Sequence, residues 1–366
     1  MTSNIPLGIL LHVLGGIGAA SFYLPFMRVR NWAWESYWLV GGLFIWIVCP
    51  WIVAVASVPD LPGLLQAAPR ESIARAIVLG LGWGIGNLTF GLSLRYLGMS
   101  LGFAMSLGFC TFFGAILPPL VSGTLPTLLA SPSGQMTLVG VAVCVAGIAL
   151  CGWAGMSKER ELPDTVKKES VREYNFGLGL TVALVAGVAS ACINFAITND
   201  EPISRLAYDR GAPQLWKNGA TMAIFLTAGG LTNIAWCLLL NFRNRTLHDY
   251  GNAHGASLAA NYALCLLAGL IAYAEFFFYA IAESQMGKYS FTNLPIHLAF
   301  IIVFSNVWGF LFNEWKGTGI RTRSLIGSGL VVLVTATMFM GYGNQLSESE
   351  GQTSGDAMAP AIDPLP

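Results

Sequence analysis

Apolar runs of about 20 residues, long enough to cross a bilayer as helices, recur ten times along this chain. They cover roughly 5–27, 36–58, 73–95, 98–122, 136–155, 175–198, 214–241, 255–283, 287–312 and 322–342, with short polar breaks between them. The longest internal charged stretch, Lys158–Glu173, falls between the fifth and sixth runs. It divides the chain into an N-terminal half (1–155), a charged linker (156–174) and a C-terminal half (175–342). From 343 to 366 the chain is polar, acidic and rich in Ser, Gly and Pro without hydrophobic period, and its composition predicts a disordered tail. The pattern predicts an all-α polytopic membrane protein of ten transmembrane helices. Five spans per half make the halves insert in opposite directions, so that if they are repeats they are inverted ones. The junctions Arg95-Tyr-Leu-Gly-Met-Ser100 and Ser284-Gln-Met-Gly-Lys-Tyr289 offer faint internal similarity.

Composition agrees with the pattern. Hydrophobic residues make up 55% of the 366 and charged residues only 10%, where soluble domains carry about a quarter charged. A net charge of zero gives no basic surface for nucleic acid. The seven cysteines lie in apolar segments without a CxxC pair and read as small buried hydrophobes. The N-terminus lacks the basic region of a cleavable signal, so the first run is expected to remain as an anchor. Thirteen of the 19 Lys and Arg fall in loops after odd-numbered spans. The positive-inside rule then places the central loop in the cytoplasm and both termini outside. The partners this implies are lipid and small solutes, and no cofactor is expected; a monomer and a homodimer are equally open.

Polar residues inside apolar runs narrow the chemistry, because hydrocarbon leaves them unpaired unless they face a wet cavity or one another. In the third run Trp83, Asn87, Gly91 and Arg95 repeat every four residues and share one helical face. The glycines Gly80, Gly82, Gly84 and Gly86 beside them let a neighbouring backbone approach. Glu275 sits well inside the eighth run, where a charge costs about 2.5–3.5 kcal/mol on insertion scales. Tyr279 follows one turn later on the same face. Glu275 reads as a proton acceptor, a direct ligand of a small solute, or a structural carboxyl paired with Arg95 or a histidine. His12 in the first run and His297 in the ninth suit a proton relay, since imidazole titrates near neutral pH; each is equally a helix–helix hydrogen bond. Neither has metal-ligand spacing, so no metal site is expected. Glu35, at the start of the second run, reads as an interfacial carboxylate beside Arg28 or Arg30, or as a gate or proton exit. Arg95 reads as a snorkelling helix-end residue or as a partner that neutralises a carboxylate during a cycle. Catalytic spacing of a nucleophile and base is absent, and the Gly80–Gly86 run lacks the strand and Lys-Ser/Thr of a nucleotide loop. No enzyme is expected.

Several stretches are specific enough to carry a resemblance. They are His12-Val-Leu-Gly, Ala19-Ala-Ser-Phe-Tyr23, Pro25-Phe26, Trp32-Ala-Trp-Glu-Ser36, Gly41-Gly42, Pro50-Trp51, Trp83-Gly-Ile-Gly-Asn87, Arg95-Tyr-Leu-Gly-Met-Ser100, Phe276-Phe-Phe-Tyr279 and Glu314-Trp315. Across these the chain resembles the L-rhamnose–proton symporters of the drug/metabolite transporter superfamily. The resemblance implies a ten-helix carrier that brings a 6-deoxyhexose into a bacterial cell with a proton, across the inner membrane. Glu275 stands where that pattern has Gln before Phe-Phe-Phe-Tyr, and Asn194 replaces a smaller residue, which leaves the particular sugar and the coupling ion, proton or sodium, open. An exporter or uptake carrier of another small metabolite is the alternative. Sugars are held by amides, carboxylates and indole N–H groups, with aromatic faces against their C–H patches. Tyr23, Trp83, Asn87, Asn194, Phe278, Tyr279 and Asn293 supply that mixture, and Glu275, His12, His297, Glu35 and Arg95 are the candidates for proton coupling.

Overall fold

The computed structural model describes residues 4–121, 123, 125–171, 173–190, 201–213, 216–253, 255–286 and 293–358. Each apolar run read from the sequence overlaps one helix: α1 Pro6–Arg28, α2 Trp34–Ser57, α3 Arg70–Leu97, α4 Met99–Val121, α5 Pro132–Glu161, α6 Phe176–Ser190, α7 Gly219–Asn244, α8 Leu258–Met286, α9 Asn293–Leu311 and α10 Ile320–Met358. Eight of these are long and apolar enough to cross a membrane, and the apolar parts of α6 and α9 are shorter. Helices are the expected solution in hydrocarbon, because each satisfies its own backbone polar groups. The polar segment after 343, expected to be disordered, continues α10 as far as Met358. Extending a helix that already exists needs no new nucleus.

Helix pairs define the bundle. α5 and α10 lie side by side; α1 packs on α8 and α9, α3 on α6 and α7, α4 on α5, α6 and α9, and α2 on α7 and α8. Small residues set the closest approaches. A Cβ on Gly84 would lie 2.3 Å from the Gly229 carbonyl oxygen of α7. Gly98 joins α3 to α4 with φ of +84°, a left-handed backbone that a side chain would strain.

Two prolines interrupt the regular ladder. Pro25 has no N–H for the carbonyl four residues back, and α1 breaks there into Ile5–Ser21 and Tyr23–Arg28. Ahead of Pro50, α2 loosens into a π-helical turn at Phe44–Val48. The Trp46 carbonyl, deprived of its α-helical partner, accepts the Thr227 hydroxyl at 3.2 Å, and Thr227 Oγ1 in turn accepts the Trp51 indole N–H at 2.9 Å.

The loops after odd-numbered helices meet at one end of the bundle. Arg95 Nη2 lies 2.7 Å from Glu173 Oε2, the Asn175 amide donates to the Tyr96 carbonyl, and the Ala33 amide donates to Asp249 Oδ2 at 2.8 Å. Asn233 ties three helices in the interior: its Nδ2 donates to the Gly84 and Gly229 carbonyls and its Oδ1 accepts the Trp38 indole N–H at 3.1 Å. Asn233→Leu strands that buried N–H and is expected to cost about 1–3 kcal/mol. Thermal unfolding in detergent checks this; an unchanged midpoint contradicts it.

Candidate functional site

Three helices bring the titratable residues of the apolar runs together. α1 carries His12, α8 carries Glu275 and Tyr279, and α9 carries His297. The rings of His12 and His297 lie 5.7 Å apart, His12 and Tyr279 5.8 Å, and Tyr279 and His297 5.0 Å. Glu275 Oε1 stands 3.6 Å from His297 Nε2. The two histidines are buried and Glu275 is about a quarter exposed. Of the readings of Glu275, the carboxylate therefore neighbours a histidine, while Arg95 pairs elsewhere.

Glycines on α1 make this approach possible. A Cβ on Gly15 would lie 2.9 Å from His297 Cε1 and 3.4 Å from Phe278 Cβ. Gly18 lies over the Ile271 carbonyl, one turn before Glu275. The spacing from His12 to Gly15 places the imidazole and the glycine on one face, so α9 seats its histidine directly on the α1 backbone.

The cluster is left with unused polarity. Both ring nitrogens of His297 are buried and make no hydrogen bond among the described residues, and the same holds for Asn87 Oδ1 on α3. Buried polar atoms in native proteins are nearly always paired, which points to water or ligand hydroxyls as the missing partners.

The other expected site residues take different places. Trp83 is directed at α7, its ring 5.5 Å from Phe225 and its edge over Gly229. Gly91, on the same stripe, closes on the Trp38 ring. That face of α3 is therefore largely packed against α2 and α7, because a glycine opposite each indole gives a flat seat. Tyr23 is buried, its hydroxyl 3.5 Å from that of Tyr37. Arg95 pairs with Glu173 and lies 5.4 Å over the Trp34 ring. Glu35, expected beside Arg28 or Arg30, is buried and accepts hydrogen bonds from Asn244 Nδ2 at 2.9 Å and Thr246 Oγ1 at 3.1 Å. These three belong to the odd-loop end. Phe278 contacts α1, Asn293 opens α9, and Asn194 lies outside the described residues.

Comparison with known proteins gives the lineage. The family model described as L-rhamnose-proton symport protein (RhaT) matches residues 1–345. The chain belongs to the L-rhamnose-proton symport family. Relatives named L-rhamnose-proton symporter include those of Cronobacter sakazakii, 33% identical over 346 residues, and Klebsiella pneumoniae, 32% identical over the same length. Another, from Mannheimia succiniciproducens, is 32% identical over 347 residues. Each alignment covers 94% of this chain and 99% of the relative.

Within this member of the symport family, residues outside the expected set also hold buried charge. Glu314 accepts the first amides of α4, Met99 N at 2.7 Å and Ser100 N at 2.9 Å. Ser100 Oγ donates to Asn306 and accepts the Trp315 indole N–H at 2.9 Å. Burial pushes the Glu314 carboxyl above the usual carboxylate range, while the two amides and Lys158 oppose that rise. Asp249 plays a matching part at the start of α2, accepting Ala33 N and, at 2.7 Å, the Ser36 hydroxyl. A lone acid in a short loop carries no periodic signal; only the adjoining Trp315 and Tyr250 hinted at a buried setting.

Gly15→Ala tests the seating of His297. The added methyl meets the imidazole edge at 2.9 Å, and misplacing a site group by even an ångström costs about a hundredfold in enzymes. Transport is expected to fall at least tenfold while protein level is retained; labelled-sugar uptake by the variant checks it, and uptake equal to the parent contradicts it.

Proposed function

We propose that this chain takes up L-rhamnose, or a closely related 6-deoxyhexose, together with a proton across the bacterial inner membrane. The relatives' names and the multi-pass apolar helices support this, and the family is one of transporters. The observation that carries the reading furthest is the group His12, Glu275, Tyr279 and His297, whose members face one another from three helices, with His297 Nε2 3.6 Å from Glu275 and neither His297 nitrogen in a hydrogen bond among the described residues. A carboxylate beside an imidazole offers one proton a place to sit, and the same oxygens and nitrogens pair with sugar hydroxyls. Phe278, whose Cβ lies beside Gly15, brings an aromatic ring suited to the C–H face and methyl group of a deoxy sugar. Asn87 on α3, Asn293 at the start of α9 and Asn194, outside the described residues, are the further amide candidates.

The reading extends to architecture. Ten spans form two inverted five-helix halves. Shifting each helix number by five turns the pair α3–α6 into α8–α1, α4–α6 into α9–α1, α3–α7 into α8–α2 and α4–α5 into α9–α10, and returns α5–α10 to itself. All of these pairs pack, which supports the repeat. The basic odd-loop end is cytoplasmic by the positive-inside rule, with both termini outside. Transport proceeds by alternating access, the two halves rocking about the central group.

The test is uptake of labelled L-rhamnose into membrane vesicles, with and without an imposed pH gradient, against L-fucose and D-glucose as competitors. Accumulation that follows the gradient and yields to deoxyhexoses is expected. Uptake that ignores the pH gradient, or follows a sodium gradient instead, overturns the proton coupling.

A further inference from the structure

We infer that residues 22–43, the end of α1 and the start of α2, form a hinged arm that gates the odd-loop end of the bundle, with Asp249 as its latch. The inference rests on the alternating-access reading and adds to it the moving part and what holds it shut.

Both roots of the arm are bent by proline. At one, α1 breaks at Phe22 ahead of Pro25; at the other, α2 runs through the π-turn Phe44–Val48 ahead of Pro50. Each root has already lost a regular backbone hydrogen bond, and the Trp46 carbonyl has found the Thr227 hydroxyl instead. Bending there breaks little that is not already broken.

The tip of the arm is fastened to the C-terminal half by hydrogen bonds, and by the Trp32 ring, which meets Tyr250 at 6.1 Å and Tyr262 at 5.1 Å edge-on. Asp249 accepts Ala33 N and the Ser36 hydroxyl, both at the first turn of α2. Asn261 accepts Arg30 N and donates to the Arg30 carbonyl. Glu35 accepts Asn244 and Thr246. Such bonds exchange readily for water once the loops part, and Asp249 favours the arm further because its charge faces a helix N-terminus.

Between root and tip the arm lies across the neighbouring helices as a lid of aromatic rings. Trp34 stacks on Trp38 at 5.0 Å, and Phe22 meets Phe103 of α4 at 6.4 Å. At one crossing with α8 glycine meets glycine: a Cβ on Gly269 would lie 2.6 Å from the Gly41 carbonyl, and one on Gly41 would lie 3.1 Å from the Cys265 carbonyl. Elsewhere Phe22, Phe26 and Trp38 sit in the buried core with Cys265 and Ala268, so opening the arm has to part these side chains as well as the tip. Cys265, fully buried beneath it, is a built-in reporter.

The experiment keeps Cys265 as the sole cysteine, its six companions replaced by alanine, and follows its alkylation by a membrane-impermeant maleimide from the side bearing Arg30 and Arg95. In the otherwise unchanged chain L-rhamnose is expected to alter the labelling rate, as any alternating-access cycle requires. Asp249→Ala is expected to speed labelling at least tenfold, since losing either of its two charge-assisted hydrogen bonds is worth about that much. Asp249→Asn, which keeps an acceptor oxygen, is expected to restore protection. Should Asp249→Ala fail to fold, Asn261→Ala releases the same tip by another bond and is expected to act in the same direction. Labelling that responds to sugar but not to these replacements overturns the latch and leaves alternating access standing. Labelling that never responds to sugar overturns alternating access and the latch with it.

Discussion

L-Rhamnose uptake by the double variant Glu275→Gln, His297→Asn is expected to lose its dependence on an imposed pH gradient while still exchanging labelled for unlabelled sugar. The argument is one of location and number. One proton moving down about 100 mV contributes ~2.3 kcal/mol, which supports roughly fifty-fold accumulation. A proton that binds where the sugar binds couples that energy to the sugar most directly. Glu275 and His297, 3.6 Å apart and flanked by His12 and Tyr279, are the one such pair among the described residues of α1, α8 and α9. Glu275→Gln alone leaves the imidazole as the titrating partner, so a changed pH profile with reduced accumulation is expected of it. The double replacement removes both and should bring accumulation close to equality. Accumulation that persists in the double variant moves the coupling proton to His12 or Glu35.

Glu314→Ala is expected to destabilise the folded chain by about 3 kcal/mol. Its carboxylate is the acceptor for two buried amides at the start of α4, and stranding buried donors costs about 1–3 kcal/mol each. Lys158, fully buried and set 4.8 Å over the Tyr174 ring and 5.1 Å over Trp315, also loses an opposing charge that acts on it. Glu314→Gln keeps one acceptor oxygen and should cost about half as much. Unfolding midpoints in one detergent order these three proteins. Equal midpoints for the parent and Glu314→Ala would show that water replaces the carboxylate without loss, against the burial described for it.

The apolar pattern foretold where the long apolar helices fall, because twenty residues of hydrocarbon length leave the backbone few choices; short helices such as Leu61–Ala67 and Glu201–Asp209 lie outside it. It also singled out His12, Glu275, Tyr279 and His297, since an ionisable or phenolic group inside such a run is costly and so conspicuous. Their meeting was not legible: it depends on Gly15 letting α9 come within contact of α1, and a glycine in an apolar run names no partner. The setting of Trp83 was not legible for the same reason. Its fourfold spacing with Asn87 and Arg95 is real, yet Gly229 and Phe225 on a distant stretch turn the indole towards α7. Asp249 was silent, and Glu314 entered only through the Glu314-Trp315 stretch of the resemblance, because a polar loop residue looks solvated until another loop closes over it. Pro25 and Pro50 stood in plain view, but whether a proline kinks a helix or begins one is settled by the neighbours that receive the freed carbonyl, here Thr227 for Trp46.

The measurement that bears most directly on the central group is a structure of the protein with L-rhamnose bound. The pyranose is predicted among α1, α8 and α9, with hydroxyls within about 3 Å of Glu275 and of His297 or Tyr279 and its methyl group towards Phe278. A sugar lodged elsewhere, for instance against Trp83 along α7, with Glu275 and His297 still facing each other untouched, would contradict it.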